Sequence, residues 1–492
     1  MVGVLFRHKR NIFSAAVTGR SFFIAYHLWK RRRAVEYNEL TELIEKISAL
    51  LTEKNFRAVK TILDDEMPQD VATLLEELPD KDMPVIFRLL SKEQAADTFV
   101  EMSSDSQEML INVFSDSEIK AIFDEMFVDD TVDIIEEMPA SVVKRIISQS
   151  DAETRHQINE ILQYPKDSAG TIMTVEYVSL KKSWTVSQCF DRIRQTALDK
   201  ETIYTCYVTD EKRHLIGCVT VKDLLLHDYN DLIADIMETD VLSVETTDDK
   251  EAVALQISKY DLNAMPVVDK ENRIVGIITV DDVLDVLEEE ATEDIAKMAA
   301  VTPSSDTYLD QSVWQIWKNR IPWLLILMIS ATFTGLIINA YEATLSALLF
   351  ACVPMIMGTG GNAGSQASVT ITRSLAINEI SPRDVLKVLW KELRVSVSLG
   401  LVLACACFAK LYLLDGLAFG NEYTWQICLT VSIALFVTIV IAKLIGCLMP
   451  ILAKVCRLDP AVVASPFITT IVDILSLVIY CLIAQALLSG GM

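Results

Sequence analysis

From Leu78 to Met138 an apolar anchor recurs every 12 residues, as Leu78-Pro79, Leu90-Ser91, Met102-Ser103, Phe114-Ser115, Met126-Phe127 and Met138-Pro139. Pro or Ser mostly follows the anchor, then an acidic region suited to an N-cap, then one apolar stripe such as Ile119, Ile122, Phe123 and Met126. That order predicts a series of short helices. Helices of about two turns bury no core alone and must stack, so the spacing predicts an acidic α-superhelix over residues 38–165. From Ser168 the pattern changes to short β-rich runs that occur twice. Ile172-Met173 is answered by Ile236-Met237, Tyr207-Val208 by Val267-Val268, and Leu215 to Thr220 by Ile274 to Thr279, with an offset of 64 residues at the start and 59 at the end. One copy therefore carries a small insertion. Val283 to Asp310 is acid-rich and has no Gly or Pro before Pro303, which predicts one connecting helix.

Beyond it, apolar stretches run over residues 321–341, 343–372, 395–409, 423–442 and 460–492. With amphipathic ends they predict five spanning helices, since about 20 apolar residues cross the hydrocarbon. Lys318, Arg320, Arg373, Arg383, Lys387, Lys391, Arg394, Lys454 and Arg457 fall on one side of these helices and only Lys410 on the other. Basic residues favour the inner face, so the soluble body is expected in the cytoplasm and the C-terminus outside the cell membrane.

Charge sharpens this division. The 492-residue chain has a net charge of −24, but residues 1–35 carry eight bases and no acid, residues 36–310 carry 60 acids against 25 bases, and residues 311–492 carry 8 against 11. A body of net −35 attracts cations and repels nucleic acid, which excludes generic phosphate-backbone binding. The basic arm, residues 1–37, has short apolar patches broken by charge, unlike an export signal. It reads as an amphipathic segment on anionic lipid or as a solvated tail. The ten cysteines include no CxxC pair and seven lie between Cys352 and Cys481, so neither a disulfide framework nor a zinc site is expected.

Four features of the apolar region need a reason. Asp473 has at least 12 uncharged residues before it and 19 after. An ionised carboxylate at that depth is costly and must face water, an ion or a partner. The run Pro354 to Gln366, with Gly358-Thr359-Gly360-Gly361-Asn362, is expected to loosen its helix and free carbonyls. Close helix packing explains Gly360-x-x-x-Gly364 alone, but packing has no need of the amide oxygens of Asn362 and Gln366. Pro450 and Ser465-Pro466 mark kinks or helix starts. Lys443, a lone cation deep in the fourth helix, is expected to snorkel or to tie off a carbonyl.

In the β-rich repeat each copy ends in a strand, a Thr-x-x-Asp turn and a helix, as in Thr220-Val221-Lys222-Asp223 and Thr279-Val280-Asp281-Asp282. The repeat resembles a tandem pair of cystathionine-β-synthase (CBS) domains, placed at 166–232 and 233–287. That likeness implies an adenine nucleotide such as ATP, with Thr220, Lys222 and Asp223 at ribose and phosphate and Lys222 as the point charge. Asp281 stands where Lys222 stands in the first copy, so the second copy is expected to reject phosphate.

The order of parts from about residue 38 onward resembles the MgtE magnesium-channel family: acidic N domain, CBS pair, plug helix at 288–316 and five-helix pore domain at 317–492. The residues that carry it are Gly358 to Asn362, Leu458-Asp459-Pro460, Ser465-Pro466, Asp473, Thr279 to Leu287 and Glu290 to Asp294. The resemblance implies a multidomain homodimer in the membrane, selective for Mg2+ and sensing it in the cytosol. Family members can carry Asn where this chain has Ser465, which bears on one polar contact to the ion. Asp473 from each subunit, with Asn362 and the backbone near Gly358 and Thr469, is then expected to meet the hydrated ion, because Mg2+ prefers oxygen ligands and sheds water reluctantly. All five histidines lie outside the apolar stretches, which disfavours soft metals.

Carboxylate spacing adds a regulatory reading. Asp129 and Asp133 are four apart, Asp282 and Asp285 three apart, and Glu290, Glu293 and Asp294 share a face. Such clusters repel unless a cation intervenes. By resemblance Asp97 joins Asp129 and Asp133 opposite the CBS and plug acids, with Asp249, Glu251 and Asp261 at further sites. A solvated acidic face is the alternative for any single residue. The competing function is a secondary transporter or a channel for another divalent cation, Co2+ or Mn2+, regulated by nucleotide. An enzyme finds no support, as the chain has no Walker loop, HExxH or Ser/His/Asp elbow.

Overall fold

The computed structural model describes residues 40–304, 308, 311–341, 346–418, 423–463 and 465–488, without the side chains of residues 199, 463 and 465. The basic arm lies outside the described residues. Two compact units divide at the Asp282/Val283 boundary.

The first unit opens with short helices. From Lys92–Val100 onward they follow the 12-residue period, with N-caps at Ser91, Ser103, Ser115, Phe127, Pro139 and Asp151. Asp151 accepts from the Glu153 and Thr154 amides at 2.8 Å each, and Ser115 forms a capping box with Glu118. These bonds satisfy amides that a helix start leaves open. The anchors Leu78, Met102, Phe114 and Met138, each just before or at a helix boundary, are buried and stitch successive helices together. Edge contacts of Phe99 with Phe87 and Phe123, centroids 6.1 and 5.9 Å apart, continue that core. The period slips once, where Asp82 rather than Pro79 precedes the helix Met83–Phe87.

Six strands follow: β1 Ser179–Lys181, β2 Thr205–Thr209, β3 Leu215–Thr220, β4 Val244–Glu245, β5 Ala264–Val268 and β6 Ile274–Thr279. Each triplet forms a sheet in sequence order, the first pair parallel and the second antiparallel. The helices Val186–Thr196 and Lys250–Tyr260 are 64 residues apart, β2 and β5 are 59 apart, so the five extra residues lie between Thr196 and Thr205. The two copies interlock reciprocally. A Cβ on Gly276 would meet Met173 Sδ at 2.8 Å, and one on Gly217 would meet Met237 Sδ at 2.8 Å. The Ile-Met start of each copy thus packs on the glycine in the last strand of the other copy, and only hydrogen at that α-carbon leaves room.

The second unit holds most of the helix Val280–Met298 and five helices long and apolar enough to cross a membrane: Val313–Tyr341, Ala347–Ala376, Pro382–Gly416, Trp425–Val455 and Pro466–Leu488. The connecting helix stops well before residue 310, and Ala300 just beyond it has φ 54°. Most spanning helices outrun the uncharged stretches because they continue through Lys, Arg and Glu at their ends. The first buries none of its residues and touches the fifth through Trp323 and Phe467, ring centroids 6.0 Å apart. The second, fourth and fifth form the packed centre, with Ile356, Ile439 and Tyr480 fully enclosed.

Candidate functional site

The glycine-rich run does not unwind. Val353–Ala376 is one continuous helix with Pro354 in its first turn, where a proline is tolerated, and the chain bends before it at Cys352. Gly358 and Thr469 therefore lie within helices whose carbonyls are engaged along the chain, and they do not supply the free carbonyls expected from the sequence. What the glycines provide is approach. A Cβ on Gly360 would lie 2.7 Å from Ser476 Oγ and 2.7 Å from Thr438 Cγ2, and one on Gly364 would lie 3.1 Å from the Ala442 carbonyl. A Cβ on Gly446 would overlap the Gly364 carbonyl itself. Gly446→Ala is accordingly expected to force the second and fourth helices apart and to cut the yield of folded, detergent-stable protein severely, checked by size-exclusion chromatography; Gly358→Ala, which meets nothing within 4 Å, is the neutral control.

Asp473 lies against this close contact. A Cβ on Gly361 would be 3.3 Å from Asp473 Oδ1 and 3.6 Å from Thr469 Cγ2, so the missing side chain lets the carboxylate reach the second helix. Asp473 is half-buried, and its neighbours Val472 and Ser476 are enclosed. Thr469, one turn earlier, donates its hydroxyl to the Pro466 carbonyl at 2.9 Å. Gly358 and Asn362 are exposed, four apart on one face of the second helix, with Gln366 continuing the strip. Ser465 opens the fifth helix, but its side chain lies outside the described residues. Lys443 neither snorkels nor ties off a carbonyl; its ammonium donates to Glu392 Oε1 on the third helix at 2.8 Å, with 8% and 18% of the two side chains exposed. Glu392 escaped notice because it precedes the uncharged stretch of its helix.

A second group of acids gathers in the first unit. Asp129 is 8% exposed, and its Oδ1 has no hydrogen-bond partner among the described residues. Burial, then the charges of Asp130, Asp282, Glu176 and Glu201, holds its carboxyl well above the usual carboxylate range. Burial and Asp282 push Asp130 up to about 6, and burial with Asp282 and Asp281 pushes Glu201 up to about 7. Asp97 is raised by burial and by Glu93 and Glu101. Among the described residues no three of these carboxylates close around one point at ligand geometry. They form a shared field of oxygens with one buried, unpartnered oxygen, which suits a hard, hydrated cation.

In the structure Asp129 feels the charge of Asp282, and Asp130, Glu176 and Glu201, which the sequence reading does not name, share that field. Glu201 sits in the five-residue insertion of the first copy. Asp133 is exposed. Asp133, Glu251, Asp285 and Glu290 each have an interaction of their own. Asp249 caps the N-terminus of Lys250–Tyr260 by accepting from the Ala252 amide at 3.1 Å, and Asp261 ends the same helix at φ 52°, so the helix holds the two about 18 Å apart. Thr220 donates to Asp223 Oδ2 at 2.5 Å in a capping box, and Lys222 is exposed beside it. On the connecting helix, Lys297 bridges Glu293 at 2.7 Å and Asp459 at 2.8 Å. Burial and Asp459 raise Asp294 next to them; for Lys297 burial acts downward, but hydrogen bonds to Asp459 and Glu293 prevail and raise it.

Comparison with known proteins covers both units. Residues 353–483 match the divalent cation transporter family MgtE, residues 66–167 the MgtE intracellular N domain, and residues 169–229 and 233–289 the CBS domain. The magnesium transporter MgtE of Thermus thermophilus is 35% identical over 455 residues, covering 91% of this chain and 99% of its own. That of Bacillus subtilis is 31% identical over 448 residues, covering 90% and 97%. A crystal structure of the cytosolic domain of the Mg2+ channel MgtE in complex with ATP is 36% identical, with TM-score 0.47, covering 49% of this chain and 99% of that one. Identity of this extent, running through the acidic body and the helices around Asp473 alike, means that the chain belongs to the MgtE family of magnesium transporters.

Proposed function

We propose that this multi-pass magnesium transporter works as a homodimeric channel whose cytosolic body senses the transported ion. The observation that carries the pore reading is the half-buried Asp473 carboxylate held against Gly361. In a dimer, Asp473, Thr469 and the exposed strip of Gly358 and Asn362 meet their counterparts, and a pair of carboxylates attracts the divalent ion while amide and hydroxyl oxygens contact its water shell. Such a path recognises Mg2+ without stripping it, which a small, strongly hydrated ion requires. Cytoplasmic placement of the N-terminus and body follows from the basic residues around the helix ends.

The body carries the gate. Asp282 belongs to the acidic cluster and also caps the connecting helix through Thr279, whose hydroxyl donates to it at 2.5 Å. Mg2+ held by Asp129, Asp130, Asp282, Glu176 and Glu201 offsets their repulsion, compacts the body and draws in that helix. At the helix's far end Glu293, Asp294 and Lys297 lie beside Asp459, just before the fifth spanning helix. Asp97 and Asp133 add to the negative charge of the first unit, with Asp249, Glu251 and Asp261 at outlying positions, and Asp285 and Glu290 add to that of the connecting helix. Proteoliposomes loaded with a Mg2+ indicator test the transport reading: Mg2+ entry should saturate and outpace Co2+ and Mn2+, whereas equal entry of all three would favour the broader divalent-cation alternative.

ATP is proposed at the first CBS copy, where exposed Lys222 follows the capped Thr220-Asp223 turn. Calorimetry on the intact protein should show ATP binding that Lys222→Ala weakens by roughly tenfold, the loss of one phosphate contact of about 1.4 kcal/mol. Unaltered binding would remove Lys222 from the site.

A further inference from the structure

We propose that Lys443 and Glu392 form an intramembrane clamp that positions the ion path by fixing the third helix against the fourth. The fourth helix carries different contacts within one turn. Ala442 packs with Ile468 and Val472, the latter next to Asp473, and Gly446 sits on the backbone of Gly364 in the second helix. Lys443, between them in sequence, turns instead to Glu392 on the third helix at 2.8 Å. Two turns along the same antiparallel contact, a Cβ on Gly400 would meet Phe436 Cδ2 at 3.0 Å. The residue numbers sum to 835 for Lys443 with Glu392 and to 836 for Gly400 with Phe436, so one register accounts for both contacts.

An apolar pair of similar volume would be cheaper to bury here than two charges. Apolar side chains, however, accept several rotations and axial slips of one helix on another, whereas an ammonium and a carboxylate buried between the helices accept one. The clamp therefore presses the Ala442/Gly446 face onto the second and fifth helices and holds Asp473 at Gly361. Lys443 and Glu392 are positioning residues; neither is assigned to the ion. This inference rests on the reading of Asp473 as the ion site.

The test compares Lys443→Met, Glu392→Gln, the apolar double Lys443→Met/Glu392→Leu and the charge swap Lys443→Glu/Glu392→Lys, by unitary Mg2+ current and Mg2+:Mn2+ permeability ratio in liposome patches. The single variants are expected to lose about tenfold or more in unitary current. The swap should restore most of it, and the apolar double should insert and assemble yet show reduced current and relaxed selectivity. Wild-type current and selectivity in the apolar double would overturn the proposal, as would a swap no better than the singles. Measurement of Asp473→Asn alongside separates the two readings. If it conducts normally while the swap rescues the singles, the ion-site reading fails and the clamp stands; if it is silent while the apolar double behaves as wild type, the clamp alone fails.

Discussion

Mg2+ current through Asp473→Asn should fall by two orders of magnitude or more while the protein still inserts and assembles. Asn keeps the shape beside Gly361 and removes only the charge. At an effective dielectric constant of about 20, one carboxylate attracts a divalent ion about 4 Å away by roughly 8 kcal/mol. If only about a third of that survives the ion's retained water, its loss still amounts to about 100-fold. Asp473→Glu retains the charge but presses on the Gly361 contact, where an added Cβ at position 361 would already be 3.3 Å from the carboxylate, so an intermediate current is expected. Flux assayed in liposomes, normalised to protein that elutes as folded assembly, checks both.

The second large effect is loss of closure. Replacing Asp129, Asp130 and Asp282 together by Asn should give a channel that stays open at cytosolic Mg2+ concentrations that shut the parent, because the carboxylates that the ion bridges to hold the compact form are gone. Asn at 282 preserves the helix cap, so the helix itself should persist. A single replacement should only shift the midpoint, since several weak sites share the bias toward the closed form. Protons act in the same direction as the ion. The carboxyls of Asp129, Asp130 and Glu201 are raised in the compact body, the last two to about 6 and about 7. Compaction therefore binds protons; the stability it gains is complete below the ordinary carboxylate value and is lost as pH rises through about 6 to 7. Closure at pH 6 should need less Mg2+ than closure at pH 8, and the triple variant, which keeps Glu201, should lose the part of that dependence that Asp129 and Asp130 supply.

Much of the fold was legible because its signals are local. A 12-residue period maps onto N-caps that are also 12 apart, since a cap is decided by the residue that stands there and the anchor before it. The Ile-Met and glycine signatures of the repeat mark a methionine that sits on a glycine, which spacing reveals without saying which copy it touches. The site was legible only where a residue violated its surroundings. Asp473 in an apolar stretch announces itself. Glu392 does not, because it lies among the charged residues at the start of its helix and acquires its meaning from Lys443, 51 positions away. Glu201 and Asp130 looked like ordinary surface acids; their raised carboxyls come from burial by elements distant in sequence. The glycine run was misread for a related reason: in lipid a helix has no water to unwind into, and small residues there serve helix contact.

The measurement that bears most directly on the account is Mg2+-dependent current in excised inside-out patches of the wild-type protein, with Mg2+ titrated on the cytosolic face at fixed driving force. The account predicts that current falls steeply as cytosolic Mg2+ rises, with a midpoint that moves to lower Mg2+ when the pH is lowered from 8 to 6 and a closure that vanishes in the triple Asn variant. Current indifferent to cytosolic Mg2+ in the wild type would contradict it and reduce the acidic body to a solvated surface.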